Sequence, residues 1–207
     1  MGHALGHPLG HPLGNDLAVL ITEIHANVSH AESLTYGLSH QQFNWQPESG
    51  GWSIGQNLAH LNIVNGLDLA PIRAAIDAGH TRHLTGEGPF AYGMLVRRFV
   101  AGMEPLGSSP SANRKFKAPG KCVPSDNHDV AKTLAEYLRI STALRELAQS
   151  AAGLNLARVK TPILALPAWL QGVYKMPIGA RLAVLAAHDR RHLWQAELVR
   201  QLPGFPQ

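Results

Sequence analysis

His188-Asp189-Arg190-Arg191-His192-Leu193-Trp194-Gln195 lies inside a helical pattern that runs from about Pro177 to about Gln201. With residues set about 100° apart, Arg181, Val184, Leu185, His188, Arg191, His192, Gln195 and Val199 fall within one wide face. Arg190, Leu193 and Glu197 point away from it. His188 and His192 are four residues apart, about one helical turn, so both imidazoles face a bundle interior. Pro177 suits the first turn of this helix, and Pro203-Gly204 ends it. Asp189 lies about 100° off the histidine face, which argues against it as a metal ligand.

A third inward histidine stands far upstream. Ser53 and Gln56 form a capping box that opens a helix. On its wheel Ser53, Gln56, Asn57, His60, Ile63, Val64 and Leu67 share a face, so His60 points into the core. Pro71 is expected to kink or interrupt this helix, and Gly79 to mark its end. Before it, residues 46–51 read as a turn.

Two more periodic stretches complete the set. Leu17, Leu20, Ile21, Ile24, Val28, Ala31, Leu34 and Leu38 recur at three- and four-residue steps, giving a helix from about Asp16 to Leu38 with Asn15 as N-cap. Val130, Leu134, Tyr137, Leu138, Ser141, Leu144 and Ala148 do the same from about Asp126, with Ser125 or Asp126 near the cap, to Ala151. No strand pattern intervenes, and the expected fold is an all-α four-helix bundle. Residues 80–125 are rich in Gly, Pro and Ser, with one short helix expected within Phe90–Met103. They read as a long irregular excursion between the second and third helices. With the connection at 154–176 they imply a long crossover rather than an up-down hairpin chain.

The remaining segment is the arm. Gly2-His3-Ala4-Leu5, Gly6-His7-Pro8-Leu9 and Gly10-His11-Pro12-Leu13 repeat a four-residue unit whose Gly and Pro cannot hold a helix. Residues 1–14 are therefore read as a flexible arm, and 15–207 as one domain.

Composition narrows the function. The chain has 207 residues, 45% hydrophobic and 15% charged, with a net charge of +4. Its basic residues are scattered, apart from Arg114-Lys115-Phe116-Lys117 and Arg190-Arg191, which argues against a nucleic-acid partner. No stretch reaches the roughly 18 apolar residues of a membrane span, so no membrane partner is expected. The start lacks the basic and apolar regions of a signal peptide, and a cytoplasmic location is expected. One cysteine, Cys122, excludes an internal disulfide and has no sequence-adjacent partner.

The histidines carry the chemistry. Three neutral imidazoles on neighbouring helices suit a divalent ion and leave positions open for water or substrate. Such an ion lowers the pKa of a bound water or activates a thiolate. Spacing alone leaves a second reading open: an i,i+4 pair can be two satisfied core histidines. Gln56 lies one turn before His60 and Gln195 one turn after His192, so both are candidates for the catalytic periphery, as is Arg191. His80 and His83 form an i,i+3 pair in a loop and read as exposed.

Trp52-Ser53-Ile54-Gly55-Gln56 followed by His60-Leu61 resembles the second-helix signature of the DinB-like superfamily. Lys117-Ala118-Pro119 and His188 to Gln195 are similar to the branch often called DinB_2, as is the closing Pro203-Gly204-Phe205-Pro206. The resemblance covers roughly residues 16–206. It implies a four-helix bundle of the DinB/YfiT-like type and a metal site whose ligands would be His60, His188 and His192. It also implies a homodimer. Relatives include S-transferases using low-molecular-weight thiols such as bacillithiol, a mycothiol-dependent isomerase, and proteins assigned as metal-dependent hydrolases. The expected function is a metal-dependent, thiol-transferase-like enzyme acting on a small-molecule substrate. Zn or Ni is the expected metal, with a low-molecular-weight thiol as a further cofactor. A metal-dependent hydrolase and a non-catalytic metal-binding or small-molecule-binding stress-response protein are the alternatives.

Overall fold

A computed structural model describes residues 17–48, 50–105, 120–164, 166 and 168–207. The arm, Asn15 and Lys117-Ala118-Pro119 lie outside the described residues. Four long helices dominate: α1 (Leu17–Thr35), α3 (Ile54–Thr81), α5 (Val130–Ser150) and α7 (Ile178–Arg200). Shorter pieces fill the connections: α2 (His40–Asn44), α4 (Met94–Ala101) and α6 (Ala168–Gln171). Two three-residue strands, β1 (Lys160–Pro162) and β2 (Lys175–Pro177), pair antiparallel with Thr161 opposite Met176. The fold is all-α, with this two-stranded sheet and an isolated antiparallel bridge between Thr85 and Leu154 as its β-structure among the described residues.

The packing order differs from the chain order. α1 packs on α5 and α7, and α3 packs on the same two helices. Consecutive long helices α1 and α3 therefore sit diagonally, as do α5 and α7. The crossovers are residues 36–53 and 151–177. The long excursion joins α3 and α5, which are neighbours, so it is not a crossover.

Two apolar clusters fill the bundle. One gathers Leu20, Ile72, Ile76, Leu144, Leu182 and Leu185. The other gathers Ala31, Leu34, Phe43, Leu58, Tyr137 and Leu193. Between them the helices turn polar inside: Asn27 on α1, Asn65 and Asp68 on α3, and Asp189 on α7 are all buried. Each makes a hydrogen bond through its side chain, although Asn65 Oδ1 has no partner among the described residues. Asn27 donates to the Ala186 carbonyl at 2.9 Å. Asp68 forms a buried bidentate ion pair with Arg181. Asp189 accepts from the Tyr137 hydroxyl at 2.8 Å and from Asn65 at 3.0 and 3.2 Å.

These polar core positions explain where the wheels err. The buried stripe of α3 beyond His60 runs through Leu61, Asn65, Asp68, Ile72, Ala75 and Ile76, while Leu67 is exposed. α7 is buried at every residue from Ile178 to Ala187, because α1, α3, α4 and the hairpin all pack on it. Leu193, expected to point away, is buried in the second cluster for the same reason.

The helix bounds also correct the sequence. Pro71 does not interrupt α3, whose flanking turns are pinned by buried Asp68 and Ile72. Gly79 does not end it. A Cβ at Gly79 would lie 2.8 Å from Val159 Cγ2, so its role is close packing against the loop before β1. The α5 cap is Asp129, which accepts from the Lys132 amide at 2.8 Å, not Ser125 or Asp126. α2 was not expected, although Ser39 and Gln42 form a complete capping box.

Gly55 fixes how α2 meets α3. A Cβ there would fall 2.9 Å from Phe43 Cε1 and 3.2 Å from the Phe43 carbonyl oxygen. Phe43 is fully buried and backbone cannot yield cheaply. Gly55→Ala is therefore expected to destabilise by about 1–3 kcal/mol despite alanine's better helix propensity. Urea unfolding checks this, and a gain in stability would refute the steric account.

Candidate metal centre

α3 and α7 run antiparallel, so the first turns of α3 face the second half of α7. This brings His60 to His188 and His192. The ring centroids of His60 and His192, and of His188 and His192, are 4.6 Å apart; those of His60 and His188 are 5.2 Å apart. One ligand nitrogen from each ring can be chosen so that all three lie within 4.8 Å of one another.

Two rings are oriented by partners that accept only. His60 Nδ1 donates to the Cys122 carbonyl at 2.7 Å, across from the 3-10 turn Gly120–Cys122. His192 Nδ1 donates to Asn57 Oδ1 at 2.9 Å. Asn57 is itself held, because its amide nitrogen donates to the Ser53 carbonyl at 2.9 Å. Both rings thus carry their hydrogen on Nδ1 and keep Nε2 as a lone pair. This arrangement is common behind metal-ligating histidines. His188 differs: its Nδ1 is buried and has no hydrogen-bond partner among the described residues.

The electrostatics favour neutral rings. Burial, followed by the charges of His60, Arg181 and Arg191, pushes His188 down to about 3. Burial, then His188, His60 and Arg191, holds His192 well below its ordinary value. Burial lowers His60 too, against its bond to the Cys122 carbonyl. Neutral imidazole is the ligand form.

The residues fit a metal ion. His60 Nε2 and His188 Nε2 are 3.4 Å apart. That is near the roughly 3.3–3.4 Å edge of a tetrahedron with zinc–nitrogen bonds of about 2.0–2.1 Å. In the metal-free protein the same distance makes a long, weak N–H···N hydrogen bond between the two rings.

The other candidates are placed elsewhere. Gln56 Oε1 accepts from the Ser53 amide at 3.0 Å and from Gln46 at 2.6 Å, and its Nε2 donates to Asp126 at 3.0 Å. Its amide is spent on the cap and the Asp126 loop, not on the histidines. Arg191 is buried and donates from Nη1 to the Gly102 carbonyl at 2.9 Å, tying α7 to the end of α4. Gln195 is half-buried, one turn beyond His192. His80 is exposed and bonds the Ser150 carbonyl at 2.9 Å, and His83 is exposed with φ 49°.

Trp52, which precedes the Ser53 cap, packs on two of the three histidine rings. It stacks on His192 at 5.7 Å and tilts over His60 at 4.8 Å. Its place just before the Ser53 cap is the signal that could have found it. The Cys122 carbonyl carried no sequence signal, because any residue supplies one.

Asn57 yields a test. Asn57→Leu removes the acceptor that sets the His192 tautomer. Zinc affinity, read by chelator competition, is expected to fall about 10–100-fold. Asn57→Asp should retain most of it. Unchanged affinity in Asn57→Leu would show that His192 needs no such partner.

None of the described helices is long and apolar enough to cross a membrane. No curated protein and no solved structure matches the chain. The family model described as the DinB superfamily matches residues 23–196, and the chain belongs to that superfamily.

Proposed function

We propose that this protein binds a divalent metal ion, zinc or nickel, through His60, His188 and His192, and uses it as a thiol-transferase-like enzyme on small molecules. One observation carries the metal reading: three neutral rings, one buried and two half-buried, converge, and two are locked with Nε2 lone pairs turned inward. A bound ion would supply Lewis acidity that lowers the pKa of a low-molecular-weight thiol. The chain's own residues do the rest. Asn57 and the Cys122 carbonyl orient their rings, and Trp52 covers His60 and His192. Arg191 anchors α7 beside the site.

Hydrolysis is disfavoured by where Asp189 points. A metal-activated water profits from a carboxylate base, and Asp189 is committed to Tyr137 and Asn65.

The experiment starts with full-length chain carrying His3→Ala, His7→Ala and His11→Ala, so that the arm cannot scavenge metal. One equivalent of ion is expected by elemental analysis. The loaded protein should then join a bacterial thiol to an electrophile. His188→Ala/His192→Ala is expected to lose both properties. Thiol transfer surviving in that double variant would overturn the metal mechanism.

A further inference from the structure

The hydrogen bonds around the three rings do not treat them alike. His60 and His192 each give Nδ1–H to an oxygen that can only accept, so their tautomers are set before any ion arrives. His188 has no such partner among the described residues: its Nδ1 is sealed from solvent and unbonded. Its Nε2 lies 3.4 Å from His60 Nε2, which is a lone pair. A neutral imidazole has one hydrogen to place. On Nδ1 it would be a buried donor with no acceptor, and on Nε2 it meets the His60 lone pair.

We propose that His188 is the displaceable ligand of the centre: in the metal-free protein its hydrogen sits on Nε2 and bridges to His60, and it must shift to Nδ1 before Nε2 can bind an ion. This rests on the metal reading above. The proton count balances, since Nε2 gives one proton to solvent and Nδ1 takes one up, so the shift releases none. The bound form leaves a buried Nδ1–H without an acceptor, and that cost falls on His188 alone. His60 and His192 keep their hydrogen bonds in both states. They hold the ion, and His188 is the ring that an incoming thiol or chelator displaces first.

The test uses the same full-length chain with the arm histidines replaced, labelled with 15N. Long-range proton–nitrogen spectra of the metal-free protein should show Nδ1–H for His60 and His192 and Nε2–H for His188. One equivalent of zinc should convert His188 to Nδ1–H and leave the other two unchanged. In chelator competition His60→Ala and His192→Ala should each weaken zinc binding at least 10-fold more than His188→Ala. Zinc binding with His188 already in the Nδ1–H form, or equal losses for the three variants, overturns the proposal and leaves the metal centre standing. Failure to bind zinc or nickel at all overturns the metal centre and the tautomer shift with it. The spectra need only the unsubstituted site, so a variant that fails to fold does not decide the outcome.

Discussion

Metal-free protein is expected to lose stability steeply once the pH drops below about 6.5. Burial and neighbouring charge lower His60, His188 and His192 in the folded state. In the unfolded chain each titrates near 6.5. Below that pH the unfolded state binds up to three more protons, so stability falls as pH falls. Asp189 works in the opposite sense. Burial raises it to about 6, against its bonds to Asn65 and Tyr137, so between about 6 and 3.8 the folded state holds one proton more. The net is at most two protons, or up to about 3 kcal/mol per pH unit between roughly pH 6 and 4. Domains of ordinary stability hold about 5–15 kcal/mol, so the bundle should unfold within a few pH units. Urea midpoints at pH 7, 6 and 5 read this directly. A flat profile would mean that the three rings are not buried neutral. Zinc should raise the midpoint at pH 7, where its ligands are already deprotonated.

Asp68→Ala should be the most damaging single change away from the histidines. It strips the partner from Arg181, which is 6% exposed, and leaves a guanidinium buried and uncompensated. Breaking a buried pair in this way costs about 3–5 kcal/mol. Replacing both partners, as Asp68→Leu with Arg181→Met, should recover most of the loss, because the desolvation of both charges disappears together. Thermal unfolding of the single and double variants checks this. If the double variant is as unstable as Asp68→Ala, packing rather than charge is what the pair supplies.

The long helices were legible because apolar residues mark three- and four-residue steps for many turns. The Ser53–Gln56 box marked the α3 start to within a residue. His188 and His192 were legible as a pair because helical geometry puts i and i+4 on one side. Misreadings fell where the core is polar. Asn65 and Asp68 look like surface residues until their partners on α7, Asp189 and Arg181, are known, and those partners lie 124 and 113 positions away. Leu67 then looks like core by default. Gly79 shows the same limit, since a glycine required by a neighbour's side chain resembles one that ends a helix. Around the site, Asn57 was placed on the correct face but not assigned its bond to His192. The carbonyl that holds His60 belongs to an irregular turn that no periodicity announces.

The diagonal placement of α1 and α3 bears on how the chain is made. Each rests on α5 and α7, which are synthesised later. A nascent chain that has emerged only through residue 81 holds two amphipathic helices with neither partner, and it has no closed core to form. Folding must wait for α5, and it completes only with α7, which contributes buried residues to both apolar clusters. The histidine centre follows the same schedule, because His60 stands ready long before His188 and His192 exist. Until the last helix is synthesised, the ribosome carries a chain with exposed apolar stripes, the condition in which chaperones bind.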